Sequence, residues 1–185
     1  MLREKREPAY FIEGERISLR EVRLSDVNDR YYRWMNDHEV TSYLESRFYP
    51  NSMEGILEFV KDKLGDTANV FLAIILKDGD RHIGNIKLGP INWLHRRADI
   101  GLLIGEKDLW GQGYATEAIK LVCDYAFKKI NLHKVTAGCY DENVGSTRAF
   151  EKAGFRREGL LQGHFFGNGR YVDEILLGLV NPYGG

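Results

Sequence analysis

The stretch from Ile100 to Ala126 constrains this chain more than any other. An apolar run, Ile100-Gly101-Leu102-Leu103-Ile104, is followed by Leu109-Trp110-Gly111-Gln112-Gly113-Tyr114-Ala115-Thr116-Glu117. Apolar residues then recur at helical spacing, at Ala118, Ile119, Val122, Tyr125 and Ala126. The run reads as a strand and the periodic part as a helix. Two glycines between them let the backbone turn sharply and approach a bulky group. The first N–H groups of a helix have no partner inside it, and the helix dipole adds positive charge there. Such a turn can hold a phosphate. It can equally be a tight loop, and residue type alone leaves both readings open. No Lys-Ser or Lys-Thr follows the glycines, which excludes a P-loop. The spacing is not G-x-G-x-x-G, and no acid follows where a ribose would need one.

The 185 residues suffice for one domain with a sizeable core. Lys and Arg number 26 against 27 Asp and Glu, for a formal charge of -1. A general nucleic-acid binder needs a basic surplus, so no nucleic-acid partner is expected. Cys123 and Cys139 read as buried free thiols without the spacing of a metal knuckle, and no metal is expected. The absence of a signal-peptide pattern and of a long apolar run predicts a cytoplasmic chain with no membrane partner. Residues 1–9, charged and passing through Pro8, read as a loose terminus, leaving 10–185 for the domain.

Alternation predicts strands over Arg16 to Val22, Val70 to Leu76, Arg81 to Leu88, Arg97 to Ile104, Lys134 to Tyr140, Arg156 to Phe166 and Tyr171 to Val180. Gly167-Asn168-Gly169 is the hairpin turn joining the last two. Ser25-Asp26 is expected to cap a helix reaching about Asn36, with a short helix over Glu39 to Leu44. Ser52 caps a third over Met53 to Leu64, with Ile56, Phe59, Val60 and Leu64 on one face. The helix after the glycine turn ends near Asn131, and another runs from Asn143 or Ser146 to a stop at Gly154. Strands alternate with helices only in the second half, so the pattern predicts an α/β chain with a mixed sheet and helices on both faces.

Three segments together resemble the GNAT superfamily of acetyl-CoA-dependent N-acetyltransferases. Trp110-Gly111-Gln112-Gly113-Tyr114-Ala115 is similar to its R/Q-x-x-G-x-G/A pyrophosphate turn. Asp99 to Ile104 resembles its splayed central strand, and Asn143 to Phe155 resembles its N-x-x-S/A…E-K-x-G-F segment. The resemblance extends from the Arg16 strand to the final hairpin. Trp34-Met35-Asn36-Asp37-His38-Glu39-Val40, Glu158-Gly159 and Asn168-Gly169-Arg170-Tyr171-Val172-Asp173 are similar to the Rim-type branch, which acetylates protein N-termini. His82 to Asn92 looks more like a group that acetylates amino groups of nucleotide-linked sugars.

The resemblance implies a mostly antiparallel mixed sheet, splayed where acetyl-CoA binds. Gly111, Gln112, Gly113, Tyr114, Ala115 and Thr116, preceded by Trp110, would meet the pyrophosphate. Leu102, Leu103 and Ile104 would offer backbone groups to the pantetheine arm, as an added strand does. An N–H near Leu103 or Ile104 would steady the developing oxyanion. Asn143 reads as a helix cap, and the resemblance adds a bond to pantetheine. Many members keep a Tyr general acid before the E-K pair. Phe150 stands there and cannot donate, which leaves Ser146 as the candidate acid. Candidate bases are Asp99 and His164, with His82 and Glu39 remoter. Pairing with Arg96 or Arg97 would equally explain Asp99. Arg47 reads as surface charge or as a site for an acidic acceptor. The expected reaction is acetylation of a primary amine, on a protein N-terminus or a nucleotide-linked amino sugar, by direct attack on the thioester. A non-catalytic acetyl-CoA sensor is the alternative, and a homodimer would be compatible with either.

Overall fold

The computed structural model describes residues 10–184. The expected loose terminus, residues 1–9, lies outside them. The strands are β1 (Ile12–Glu13), β2 (Ile17–Glu21), β3 (Val70–Leu76), β4 (Arg81–Leu88), β5 (Arg97–Ile104), β6 (Lys134–Tyr140), β7 (Arg156–Gly167) and β8 (Arg170–Val180). The helices are α1 (Asp29–Asn36), α2 (His38–Thr41), α3 (Met53–Lys63), α4 (Tyr114–Lys128) and α5 (Val144–Lys152). One eight-stranded sheet runs in the order β1-β2-β3-β4-β5-β6-β8-β7, antiparallel at every pair except β5–β6.

Strand alternation decides how the two faces are covered. In β3, Leu72, Ile74 and Leu76 enter one core while Ala73 and Ile75 enter another. The first core takes Ile119, Val122 and Ala126 from α4, spaced as the periodic sequence requires. The second takes Tyr31 and Trp34 from α1, Val40 from α2, and Ile56 and Val60 from α3. Ile119 and Val122 are almost fully buried. Each burial contributes roughly 1.5–3 kcal/mol, more than any intrinsic helix preference at those positions.

Several local boundaries differ from the sequence reading. The cap of α1 is Asn28, whose side chain accepts from the Arg30 and Tyr31 amides. Asp26 is unavailable as a cap there because it is buried in a two-bond pair with the Arg20 guanidinium at 2.7 and 2.8 Å. The short helix is His38–Thr41, capped by Asp37, and not Glu39 to Leu44. On α3 only Ile56 and Val60 are buried, while Phe59 and Leu64 are exposed. α4 ends at Lys128, three residues before Asn131. β1 is only two residues long, too short to carry a period. The β7–β8 turn forms as expected, with Asn168 and Gly169 at φ 52° and 79°, both left-handed as a two-residue hairpin loop prefers.

Candidate active site

The sheet opens between β5 and β6. Their pairing covers Arg97, Ala98 and Asp99 against Lys134, Val135 and Thr136, and then stops. β5 continues to Ile104 paired only with β4. The Gly89 amide bonds the Asp99 carbonyl, and the Gly105 amide bonds the Ile83 carbonyl. The odd residues of β5 therefore turn their backbone groups to β4. Alternation then points those of Leu102 and Ile104 into the gap. Leu103, expected to share that role, faces β4 with its backbone and packs its side chain toward the second core. Of the two N–H groups considered for the oxyanion, the one on Ile104 faces the gap.

A cavity of about 630 Å³ occupies the opening. Its lower wall is Leu102, Leu103 and Ile104, facing Gly138, Cys139 and Tyr140 of β6. The turn before α4 closes one side. Gly113 sits at φ 88° as the N-cap of α4 and has no side chain to cap with. The first intrahelical bond is made by the Glu117 amide to Gly113 O, so the amides of Tyr114, Ala115 and Thr116 are free of the helix and line the cavity. A side chain on Gly113 would be strained by its φ and would crowd the Arg16 guanidinium at 3.3 Å. Arg16 braces the turn: it donates to Gln112 O at 2.9 Å, pairs with Glu117 at 3.0 Å, and lies 4.5 Å from the Tyr114 ring centroid. Sequence reasoning did not single out Arg16, which immediately precedes β2.

The other expected site residues fall as follows. Trp110 lines the cavity and donates its indole N–H to Ile104 O at 2.8 Å, satisfying a carbonyl that the splay leaves unpaired. The Gln112 side chain turns back to Asp108 O and is not among the lining residues. Asn143 caps α5 by accepting from the Ser146 amide at 3.1 Å, and both residues line the cavity. Ser146 Oγ lies 3.3 Å from Cys139 Sγ. Burial raises the Cys139 thiol above its ordinary value, partly offset by Ser146 and Thr147. Phe150 is buried against Phe155, with no polar atom to offer. Asp99 bonds the Thr136 hydroxyl rather than Arg96 or Arg97, and it is not part of the cavity lining. His82 is buried behind α1, held by Gly84 O and Asn85 Oδ1, away from the cavity. Glu39 lines the rim but is paired with Lys107 at 2.5 Å. Arg47 is tied into the fold, its guanidinium donating to Leu44 O, Tyr140 Oη and Phe166 O, with its Nε–H and one Nη1 hydrogen left unused among the described residues.

A second compartment of about 320 Å³ shares Glu45, Tyr140 and Phe165 with the first. His164, Phe48, Tyr49 and Phe166 complete it. The segment between α2 and α3 and the final hairpin thus meet beyond the splay.

The profile of the Acetyltransferase (GNAT) domain matches residues 16–156. The chain belongs to this acetyltransferase family. The acetyltransferase is 31% identical over 169 residues to an uncharacterized N-acetyltransferase, p20, of Bacillus licheniformis, covering 90% of this chain and 93% of the relative. It is 32% identical over 139 residues to the spermidine N(1)-acetyltransferase of Vibrio cholerae, covering 75% and 78%. The crystal structure of spermidine N-acetyltransferase from Vibrio cholerae in complex with CoA and spermine superposes with a TM-score of 0.81 at 28% identity, covering 90% of this chain and 96% of that one. The enzyme is therefore a GNAT-type N-acetyltransferase that uses acetyl-CoA. The free amides of α4 and the unpaired backbone of Leu102 and Ile104 are the groups that a diphosphate and a peptide-like arm require, so the residues present fit the donor.

Proposed function

We propose that this enzyme acetylates a cationic primary amine, which enters through the aromatic compartment beyond the splay. The observation that carries this reading is the division of charge between the walls. Arg148 and Lys152 lie on the α5 side, beside the α4 turn, where Thr116 bonds Ala149 O at 3.4 Å. Glu45 lies on the facing segment, together with Glu39, whose charge is paired with Lys107. Basic residues beside the turn suit phosphates, and an acidic, aromatic entrance suits an ammonium. Glu45 enters no ion pair among the described residues, so its charge is free for an acceptor. A protein N-terminus or a polyamine meets this requirement. A nucleotide-linked amino sugar brings two phosphates to the rim that carries the unpaired Glu45 carboxylate, while three of the five Arg47 donors are already bound to Leu44 O, Tyr140 Oη and Phe166 O. The acceptor sides with the Rim-type resemblance in its N-terminal form, or with the polyamine relatives.

Bound acetyl-CoA supplies the acetyl group as an activated thioester. The Tyr114, Ala115 and Thr116 amides would hold its pyrophosphate, and Leu102 would pair with its arm. The Ile104 N–H would meet the carbonyl oxygen as it gains charge. Ser146 would protonate the departing sulfur. Of the two candidate bases, His164 reaches the acceptor compartment and Asp99 does not. The test is thiol release from acetyl-CoA with spermidine, a peptide with a free N-terminus and a nucleotide-linked amino sugar. Turnover of spermidine or the peptide, and none of the sugar nucleotide, is expected. Preferential turnover of the sugar nucleotide would overturn the reading.

A further inference from the structure

Glu174 is the one buried carboxylate on the open face of the C-terminal half-sheet that neither the fold nor the reaction described so far uses. It lies on β8 opposite Tyr140 of β6 and Leu161 of β7. It is 9% exposed. Its carboxylate fills the space that a side chain at Gly138 would take, and any Cβ there would overlap it. Gly138 itself lines the main cavity. Glu174 therefore stands behind the cavity wall, in a place kept clear by the absence of one side chain.

Its basic neighbour is His164, whose Nε2 lies 3.3 Å from Glu174 Oε2. A half-exposed imidazole and a buried carboxylate at this distance are close enough for the acid to orient the base. A carboxylate beside Nε2 favours the proton of the neutral ring on that nitrogen. The lone pair is then on Nδ1, which has no protein partner among the described residues. We propose that Glu174 is the positioning residue of a Glu174–His164 dyad that deprotonates the acceptor ammonium. This rests on the acetyl-transfer reading above, in which His164 reaches the acceptor. The N–H bond of the ammonium breaks as an N–H bond forms at His164 Nδ1. The freed nitrogen lone pair forms the C–N bond while the C–S bond breaks. The second amine proton ends on sulfur, and the imidazolium returns its proton to solvent.

The groups around Glu174 are compatible with this role. β5 presents Asp99, held by Thr136 of β6. Tyr140 is bound by Arg47. Farther along the same face Lys134 is paired with Glu158 at 2.6 Å. Neither Arg47 nor Lys134 pairs with Glu174, so among the described residues the His164 imidazole is the basic group beside it. Burial, with a contribution from Asp99, raises the Glu174 carboxyl above the ordinary range, and His164 opposes the rise.

Two measurements test the dyad. The first needs no substrate: nitrogen NMR of the His164 ring, assigned with His164→Gln. The wild type should hold the neutral ring with its proton on Nε2, and Glu174→Gln should give a mixture of tautomers. A mixed ring in the wild type, or an unchanged ring in Glu174→Gln, would overturn the proposal. The second is the pH profile of kcat/KM for the amine with acetyl-CoA saturating. His164→Gln should lose about 100-fold near neutral pH, and Glu174→Gln about 10-fold. Both losses should shrink as the pH approaches that at which the free amine forms unaided. The double variant should be no worse than His164→Gln alone, because the two act as a unit. A loss in Glu174→Gln that is constant with pH and tracks a lowered melting temperature would reduce the pair to a structural contact. Wild-type enzyme that has the expected tautomer but turns over no amine would sink the acetyl-transfer reading and leave the dyad geometry standing.

Discussion

Single side chains in this protein are held by networks that differ sharply in what they tolerate. Ser146 has two neighbours, its own cap through the Asn143 side chain and the Cys139 thiol. Removing its hydroxyl leaves the cap intact, because the cap uses the Ser146 amide. Ser146→Ala should therefore fold normally and bind acetyl-CoA with unchanged affinity. Its kcat should fall by about 10-fold or more if the hydroxyl protonates the thiolate, and a rate equal to wild type would leave Ser146 with only its place in the helix. Asp26 is the opposite case. Burial alone would raise its carboxyl, but the Arg20 guanidinium and the Arg23 amide outweigh that and hold it below its ordinary value near 3.8. A depressed carboxyl contributes stability that is present above the unfolded value and lost as pH falls through the lower folded value. Urea unfolding should therefore show stability declining below about pH 4. Asp26→Asn should lose about 3 kcal/mol at pH 7, since Arg20 is left buried without its charge partner, and should show a shallower acid decline. An unchanged acid slope in the variant would remove Asp26 from that decline.

Among the elements, the turn before α4 and the end of β5 form one unit. Arg16 secures the turn, Trp110 closes the Ile104 carbonyl, and Gly113 supplies the left-handed cap. Gly113→Trp places a bulky side chain where the phosphates would lie and forces an unfavourable φ on it. Calorimetry should show at least a 100-fold loss of acetyl-CoA affinity in a folded variant, a drop of about 2.7 kcal/mol. Retained affinity would remove the turn from the donor site. The strand, turn and helix of this unit were legible in sequence because alternation, glycine and 3.6-residue spacing are local signals. The α1 boundary was not, because the choice between Asp26 and Asn28 as a cap depends on Arg20, a residue of β2 that comes alongside only in the fold. Glu174 was missed for a related reason. Next to Asp173 it reads as a solvent residue, and its burial follows from the missing side chain at Gly138 on another strand. The donor half of the candidate site draws on two short contiguous stretches, 102–104 and 110–116, whose signals are local. The acceptor half is assembled from the 39–49 segment, β6 and the last hairpin; His164 was legible as a candidate base, but its pairing with Glu174 depends on strands distant in sequence.

At the scale of the whole molecule, the near-zero net charge hides a division that matters for binding. Basic Arg148 and Lys152 stand on one wall of the cleft, and acidic Glu39 and Glu45 on the other. Glu45→Lys should raise the KM for a cationic amine by about 10-fold at low salt, as a close like charge replaces an attractive one. The KM for acetyl-CoA should hardly change, and the effect should weaken as salt shortens the screening length. An equal rise in both KM values would mean that the substitution disturbs the cleft rather than its charge.

The three-pair seam between β5 and β6 also has a consequence for how long the enzyme survives. Past Asp99 and Thr136 the two half-sheets share no ladder, so a donor arm bound there would bridge the gap as an added strand. A ligand that binds only the folded chain adds stability in proportion to the logarithm of its concentration, about 2.7 kcal/mol at one hundred times its Kd. Saturating acetyl-CoA should therefore raise the melting temperature of the enzyme and slow its cleavage by added protease, so that the donor protects the chain as well as feeding its reaction.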